Sequence, residues 1–282
     1  MSNKNKSIFI TSYKREKILP RLLKKLKKNL DYSQFNKLII LQNGSKKIIK
    51  LIKKIDHNIR VIQTNYSNEY SKFSKVNNNV FLGFKKCFED YNSDFVIHLE
   101  DDCLPSYDFL NFFNEIYLRH KTDKKFYAIN SFSREFKFKK NFSYSKFIYG
   151  IGKGWGIPKT NWIFTRKNLK NILNSNIKKY FDSHLEWEIK RKYYVIMPYR
   201  SRVLEIPTNG LNFKIADKNK KFYKDWSKSF LKSNKYLIKK YKYEPLLEYY
   251  WRKDCLKYNF FNRKLTYLKS FIRLKLDGIS KF

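Results

Sequence analysis

Four short apolar runs, each followed by an amphipathic stretch, fill the first hundred-odd residues of the chain, and the fourth run ends in three consecutive carboxylates. The runs are Ser7–Ser12, Lys37–Leu41, Arg60–Gln63 and Asp94–Leu99. Each is short and bounded by polar or turn residues, the pattern of a buried strand. Between them, Ile18–Asn29 carries leucines at 19, 22, 23 and 26, and Ile48–Ile55 and Asn77–Tyr91 repeat the helical period. Strand and helix in alternation imply right-handed crossovers and a mainly parallel sheet flanked by helices, an α/β fold. Such sheets bind ligands beyond the carboxyl ends of their strands. Glu100, Asp101 and Asp102 stand at that place. Three neighbouring carboxylates repel one another unless a positive charge sits among them, and a hard divalent cation serves best.

Beyond the triplet the pattern predicts an aromatic-rich helix over Tyr107–Leu118 and a strand over Phe126–Ser131. Gly150, Gly152, Gly154 and Gly156 are half of the eight glycines in the chain and surround Trp155. They have two readings: a mobile loop that carries Trp155 and Trp162 as a sugar platform, or a tight turn with core tryptophans. A phosphate cradle is excluded, because neither G-x-G-x-x-G nor a terminal G-K-[S/T] is present. A helix is predicted over Asn168–Phe181, and strands over Val195–Pro198 and Arg202–Glu205. From Asp217 onward the chain is basic and aromatic with helical periodicity. The domain reading is therefore an α/β domain over residues 1–216 and a helical extension over 217–282.

Lys+Arg 62 against Asp+Glu 24 gives a formal net charge of +38 over 282 residues. Such an excess suggests anionic partners, and the basic-aromatic extension suits a peripheral anionic membrane surface. The lysines are spread along the chain, without a zinc-finger spacing or an RNP-like aromatic motif, so no specific nucleic-acid partner is expected. Cys87, Cys103 and Cys255 are far apart and form no C-x-x-C pair, as expected of reduced thiols. No apolar stretch approaches the roughly 20 residues of a spanning helix, and Met1–Ser7 is too polar and basic for a signal sequence. A cytoplasmic protein, at most peripheral to a membrane, is the expectation.

Several segments match one known group in order. Ile97-His98-Leu99-Glu100-Asp101-Asp102, followed by Asp108-Phe109-Leu110-Asn111-Phe112-Phe113, resembles the acidic motif and following helix of GT-A-fold glycosyltransferases. The Glu-Asp-Asp form is similar to that of the N-acetylglucosaminyltransferase I-like enzymes. Thr11-Ser12-Tyr13-Lys14-Arg15 resembles the nucleotide-binding segment after the first strand. Gly154-Trp155 resembles the Gly-Trp before the acceptor site. Met197-Pro198-Tyr199-Arg200-Ser201-Arg202, with Thr208-Asn209-Gly210-Leu211-Asn212, resembles a late Pro-x-x-Ser-Arg…Gly segment. The resemblance covers residues 7 to 213.

It implies a metal-dependent, inverting transferase that takes a sugar, N-acetylhexosamine as the first choice, from a nucleoside diphosphate donor such as a UDP-sugar to a glycan or lipid-linked acceptor. Asp102 would ligate Mn²⁺ or Mg²⁺, and Glu100 and Asp101 would contact ribose or metal-bound water. Thr11, Tyr13, Arg15 and Trp155 would bind the nucleotide sugar. Asn43 takes the place where similar enzymes carry an aspartate for the base; an amide both donates and accepts, so uracil recognition is retained. Asp182, which lies 16 residues before Pro198 as in that family, is the implied catalytic base. Glu186 and Glu188 compete for that role, and Asp182 and Glu186 share a helix face at i,i+4. Arg202 and Lys153 are further cations for the diphosphate, and His98 is read as a core residue. A nucleotidyltransferase is disfavoured, since Ser12-Tyr13-Lys14-Arg15 has no glycine. A basic nucleic-acid-binding protein or an inactive scaffold on the same fold is the alternative.

Overall fold

The computed structural model describes residues 5–13, 15, 17–132, 143–147, 150–174, 180–189, 192–198 and 200–206, with isolated positions beyond. The chain divides into two compact units, Met1–Glu244 and Pro245–Phe282. The helical extension expected from residue 217 lies outside the described residues, apart from isolated positions.

The alternation of the first hundred residues folds as expected. Strand β1 (Lys6–Tyr13) leads to helix α1 (Leu19–Lys27), β2 (Phe35–Gln42), α2 (Lys46–Ile55), β3 (Arg60–Thr64), α3 (Lys72–Lys85) and β4 (Phe95–Glu100). In α1 the leucines 19, 22, 23 and 26 are all buried on one face; burying each contributes roughly 2 kcal/mol. Pro20 falls in the first turn, where the missing N–H has no intrahelical partner to lose. Ser45 caps α2 by accepting a hydrogen bond from Ile48 N at 3.3 Å. Helix α3 begins before the expected Asn77 because the Ser71 hydroxyl caps it, accepting from Ser74 N at 3.1 Å.

After β4 come β5 (Cys103–Pro105), α4 (Phe109–His120), β6 (Phe126–Asn130), β7 (Ser143–Phe147), β8 (Trp155–Pro158), α5 (Trp162–Leu173), α6 (Phe181–Ile189), β9 (Tyr194–Pro198) and β10 (Val203–Glu205). Eight strands of the main sheet run in the order β7-β9-β6-β8-β4-β1-β2-β3. Strands β3, β2, β1 and β4 are parallel, β8 is antiparallel between β4 and β6, and β9 is parallel to β6. Strands β5 and β10 form a separate antiparallel pair in which Glu205 faces Cys103.

Side chains alternate across β1. Ile8 and Ile10 enter the core under α1, α2 and α4, and Phe9 enters the core under α3, α5 and α6. Two expectations are corrected here. The helix expected over Asn168–Phe181 lies earlier, because Trp162, Thr165, Leu169 and Ile172 form its buried stripe. Trp155-Gly156 belongs to a strand, where a Cβ on Gly156 would stand 2.9 Å from Val96 O and 2.8 Å from the Phe95 ring. Glycine there lets β8 pair with β4. Cys87 and Cys103 are buried free thiols, and Cys255 lies outside the described residues. Among the described residues, no helix is long and apolar enough to cross a membrane.

Candidate active site

Strands β1 and β4 lie side by side with Thr11 opposite Glu100. Their carboxyl ends therefore emerge together, and the acidic triplet meets the segment that follows β1. Asp101 is buried and turned back onto β1. Its Oδ2 accepts from Ser12 Oγ at 2.8 Å and from Tyr13 N at 3.2 Å, and Arg15 Nε stands 3.8 Å from Oδ1. The carboxylate is thus occupied in tying the two strand ends together, which differs from the expected contact with ribose or metal-bound water. Arg15 also approaches Asp102, its Nη2 3.9 Å from Oδ2.

Glu100 and Asp102 flank Asp101 and are less deeply buried. The ligand atoms of Glu100, Asp102 and Cys103 all lie within 4.8 Å of one another. Oxygens bound to one small cation at about 2.1 Å stand no more than about 4.2 Å apart, so the two carboxylates need only a small shift to share one. Burial holds the Glu100 carboxyl above its ordinary range, and the charges of Asp102 and Asp182 add to this. Burial also raises Asp102, against the opposing pull of Arg15 and Lys153. Asp101 is pushed up to about 7, by burial first and then by Asp102. A site whose acids are held this way gains from a cation. The two carboxylates fit a hard divalent ion, whereas the Cys103 thiol, pushed well above its usual range by burial, stays protonated and is no ligand for such an ion.

Asp182, the second residue of α6, comes to the same place. Its Oδ2 is 3.4 Å from the position of a Cβ on Gly152, and its charge raises both Glu100 and Tyr180. The start of α6 is pinned by buried Asn77 of α3, whose Oδ1 accepts from Phe181 N at 3.1 Å. Glu186 lies on α6, but its side chain is outside those described; Glu188 is exposed.

The remaining candidates separate into edge and core. Tyr13 is 49% exposed at the end of β1. Asn43, exposed beyond the end of β2 with φ of 51°, donates its backbone N–H to Thr64 O at 3.0 Å. Thr11 Oγ1 is 2.9 Å from His98 Nε2. His98 is a core residue as expected, its ring stacked 4.8 Å from Phe9. Two candidates are corrected. Trp155 is 2% exposed, packed against Phe84 and Phe181, so its ring offers no open face to a sugar. Arg202 is fully buried, its Nε 2.9 Å from Asp108 Oδ2, and is not a cation of the cleft. The sequence did not single out Asn77 and Glu205, whose importance arises only from contacts with distant residues.

No protein-family model matches the chain, and no curated protein matches it. Solved structures do. Staphylococcus aureus TarS in complex with UDP-GlcNAc aligns with a TM-score of 0.51 at 13% identity, covering 73% of this chain and 60% of that one. TarS 1-349 aligns with a TM-score of 0.50 at 12% identity, covering 81% and 72%. The mannosyltransferase PcManGT from Pyrobaculum calidifontis, solved with GDP-Man and Mn²⁺, aligns at 0.45 and 12%, covering 69% and 54%. This chain therefore spans less than two thirds of the length of the mannosyltransferase and of the UDP-GlcNAc-bound TarS. At these identities the likeness is one of architecture: a mainly parallel sheet flanked by helices, the GT-A fold of the glycosyltransferases it aligns with.

Proposed function

We propose that the protein is a metal-dependent inverting glycosyltransferase, moving a sugar from a nucleoside diphosphate to a hydroxyl of a glycan or lipid-linked acceptor. UDP-N-acetylhexosamine is the first donor to test. The observation that carries this reading is the convergence of Asp182 with the Glu100 and Asp102 pair at the carboxyl edge of the sheet. The solved TarS complex with UDP-GlcNAc lends the choice of donor support.

Glu100 and Asp102 would hold the divalent ion, Mn²⁺ or Mg²⁺, which when bound supplies charge neutralisation to the departing diphosphate. The chain's own residues do the rest. Asp101 fixes the end of β1 against β4 and so orients Arg15 over the acids. Tyr13 and Asn43, at the carboxyl ends of β1 and β2, would contact the nucleoside. Asp182 accepts the proton of the acceptor hydroxyl as its oxygen bonds to the anomeric carbon and the bond from that carbon to the diphosphate oxygen breaks. Attack from the face opposite the leaving group inverts the configuration.

The test is a panel of UDP-, GDP-, CMP- and dTDP-sugars in a Mn²⁺-supplemented thermal-shift assay, followed by assay of donor hydrolysis. A UDP-sugar that raises the melting temperature only with metal, and is slowly hydrolysed, is the expected result. Stabilisation by no nucleotide sugar would refute the reading.

A further inference from the structure

Lys153 is held in a conformation that a side-chain-bearing residue adopts only under constraint. Its φ is +44°, between Gly152 at +141° and Gly154 at +79°. Backbone of this kind persists where the surroundings enforce it, commonly at functional sites. Here Ser131 enforces it: its Oγ donates to Lys153 O at 2.9 Å and Gly154 O at 2.7 Å, and its N donates to Gly154 O at 2.8 Å.

The turn delivers the Lys153 ammonium to Glu205, a buried carboxylate. Glu205 stands opposite Cys103 in the β5–β10 pair, and the next residue, Ile206, donates its N–H to Asp102 O at 2.7 Å. The ion pair is therefore built directly beside the acids that would hold the metal. Lys153 is 31% exposed and Glu205 only 6%, so the lysine is the member of the pair that solvent reaches.

We propose that Lys153 is a second, built-in cation of the donor site, which leaves Glu205 for the diphosphate when the nucleotide binds. The inference rests on the donor reading given above. A divalent ion held by Glu100 and Asp102 would repel the ammonium, and a diphosphate would offer it several oxygens with more than one negative charge. The flexible four-carbon stem of Lys153 supplies the movement, while Ser131 holds the turn in place. In this account Glu205 competes with the donor for Lys153 and keeps the ammonium in place while the site is free of nucleotide.

The test is calorimetric titration of the full chain with Mn²⁺ alone, then with UDP and GDP in saturating Mn²⁺, for wild type, Lys153→Met, Lys153→Arg and Glu205→Gln. Lys153→Met is expected to weaken nucleotide binding by about tenfold while leaving the affinity for Mn²⁺ alone unchanged or tighter, because a repelling charge has gone. Lys153→Arg should recover most of the loss, and Glu205→Gln should tighten nucleotide binding. A purely structural role would weaken both ligands together and lower the melting temperature, and that result overturns the inference. So does nucleotide affinity that is the same in Lys153→Met and wild type. If wild type binds Mn²⁺ but neither nucleotide, the donor reading itself fails and the role of Lys153 falls with it.

Discussion

The Ser12 hydroxyl donates to Asp101 at 2.8 Å across 89 residues of chain, joining the end of the first strand to the centre of the acidic triplet. Arg15 is drawn to the same place, with contacts to Asp101 and Asp102, while Glu100 and Asp102 stay less deeply buried than Asp101. Asp101→Ala removes the acceptor of Ser12 Oγ and Tyr13 N and the partner of Arg15. It should cost about 1–3 kcal/mol of stability in urea denaturation and weaken Mn²⁺-dependent UDP binding as well. Unchanged stability would show that the link does not hold the strand ends.

Asn77 acts on Asp182 at one remove. Its side-chain oxygen accepts from Phe181 N in a buried position, so Asn77→Ala leaves a buried N–H without that partner and loosens the start of α6. The expected result is a fall in kcat with UDP binding in Mn²⁺ kept within about twofold of wild type, along with a loss of roughly 1 kcal/mol of stability. Equal losses in kcat and in nucleotide affinity would argue against a role confined to placing Asp182.

Burial holds the His98 imidazole down to about 3, against about 6.5 when unfolded. The folded state therefore refuses a proton that the unfolded state accepts. Stability from this group is complete above pH 6.5 and is lost as pH falls from there towards 3. His98→Phe keeps a ring to stack on Phe9 but cannot titrate. Its melting temperature should fall less steeply with acid than that of wild type over this window, and parallel profiles would contradict the assignment.

Arg202 and Asp108 form an ion pair with both side chains fully buried, and Asp108 also accepts from Ser106 Oγ at 2.6 Å. Arg202→Met leaves a carboxylate without its counter-charge and should cost about 3–5 kcal/mol. Replacing both residues, as Arg202→Met with Asp108→Leu, should recover part of that loss in the same denaturation experiment. A double variant less stable than Arg202→Met would show that the charge is not what the single variant loses by.

The first four strands were legible because each has a short apolar run bounded by polar residues, and α1 because its four leucines hold the helical period. Strand β8 was not, since its four residues include a glycine and a proline, and only Phe95 and Val96 of β4 explain why a glycine belongs there. Helix α5 was placed too late because Trp162 reads equally well as a loop aromatic until Phe84, Phe88 and Phe81 are seen around it. The sequence marked the acids of the site but not how they divide the work. That Asp101 turns onto β1 depends on Ser12, and the placing of the Lys153 ammonium depends on Glu205; both are long-range contacts that no local pattern encodes.

Whether Glu100 and Asp102 share one divalent cation is measured by titration of the metal into the full chain at pH 6 and pH 8. Both carboxyls are held above their ordinary range, Glu100 up to about 8, and a carboxyl binds the metal only once deprotonated. One Mn²⁺ site should appear, tighter at pH 8 than at pH 6, and should be lost in the Glu100→Gln, Asp102→Asn double variant. Mn²⁺ binding that is as tight in the double variant as in wild type, or no binding to wild type at either pH, would contradict a shared site.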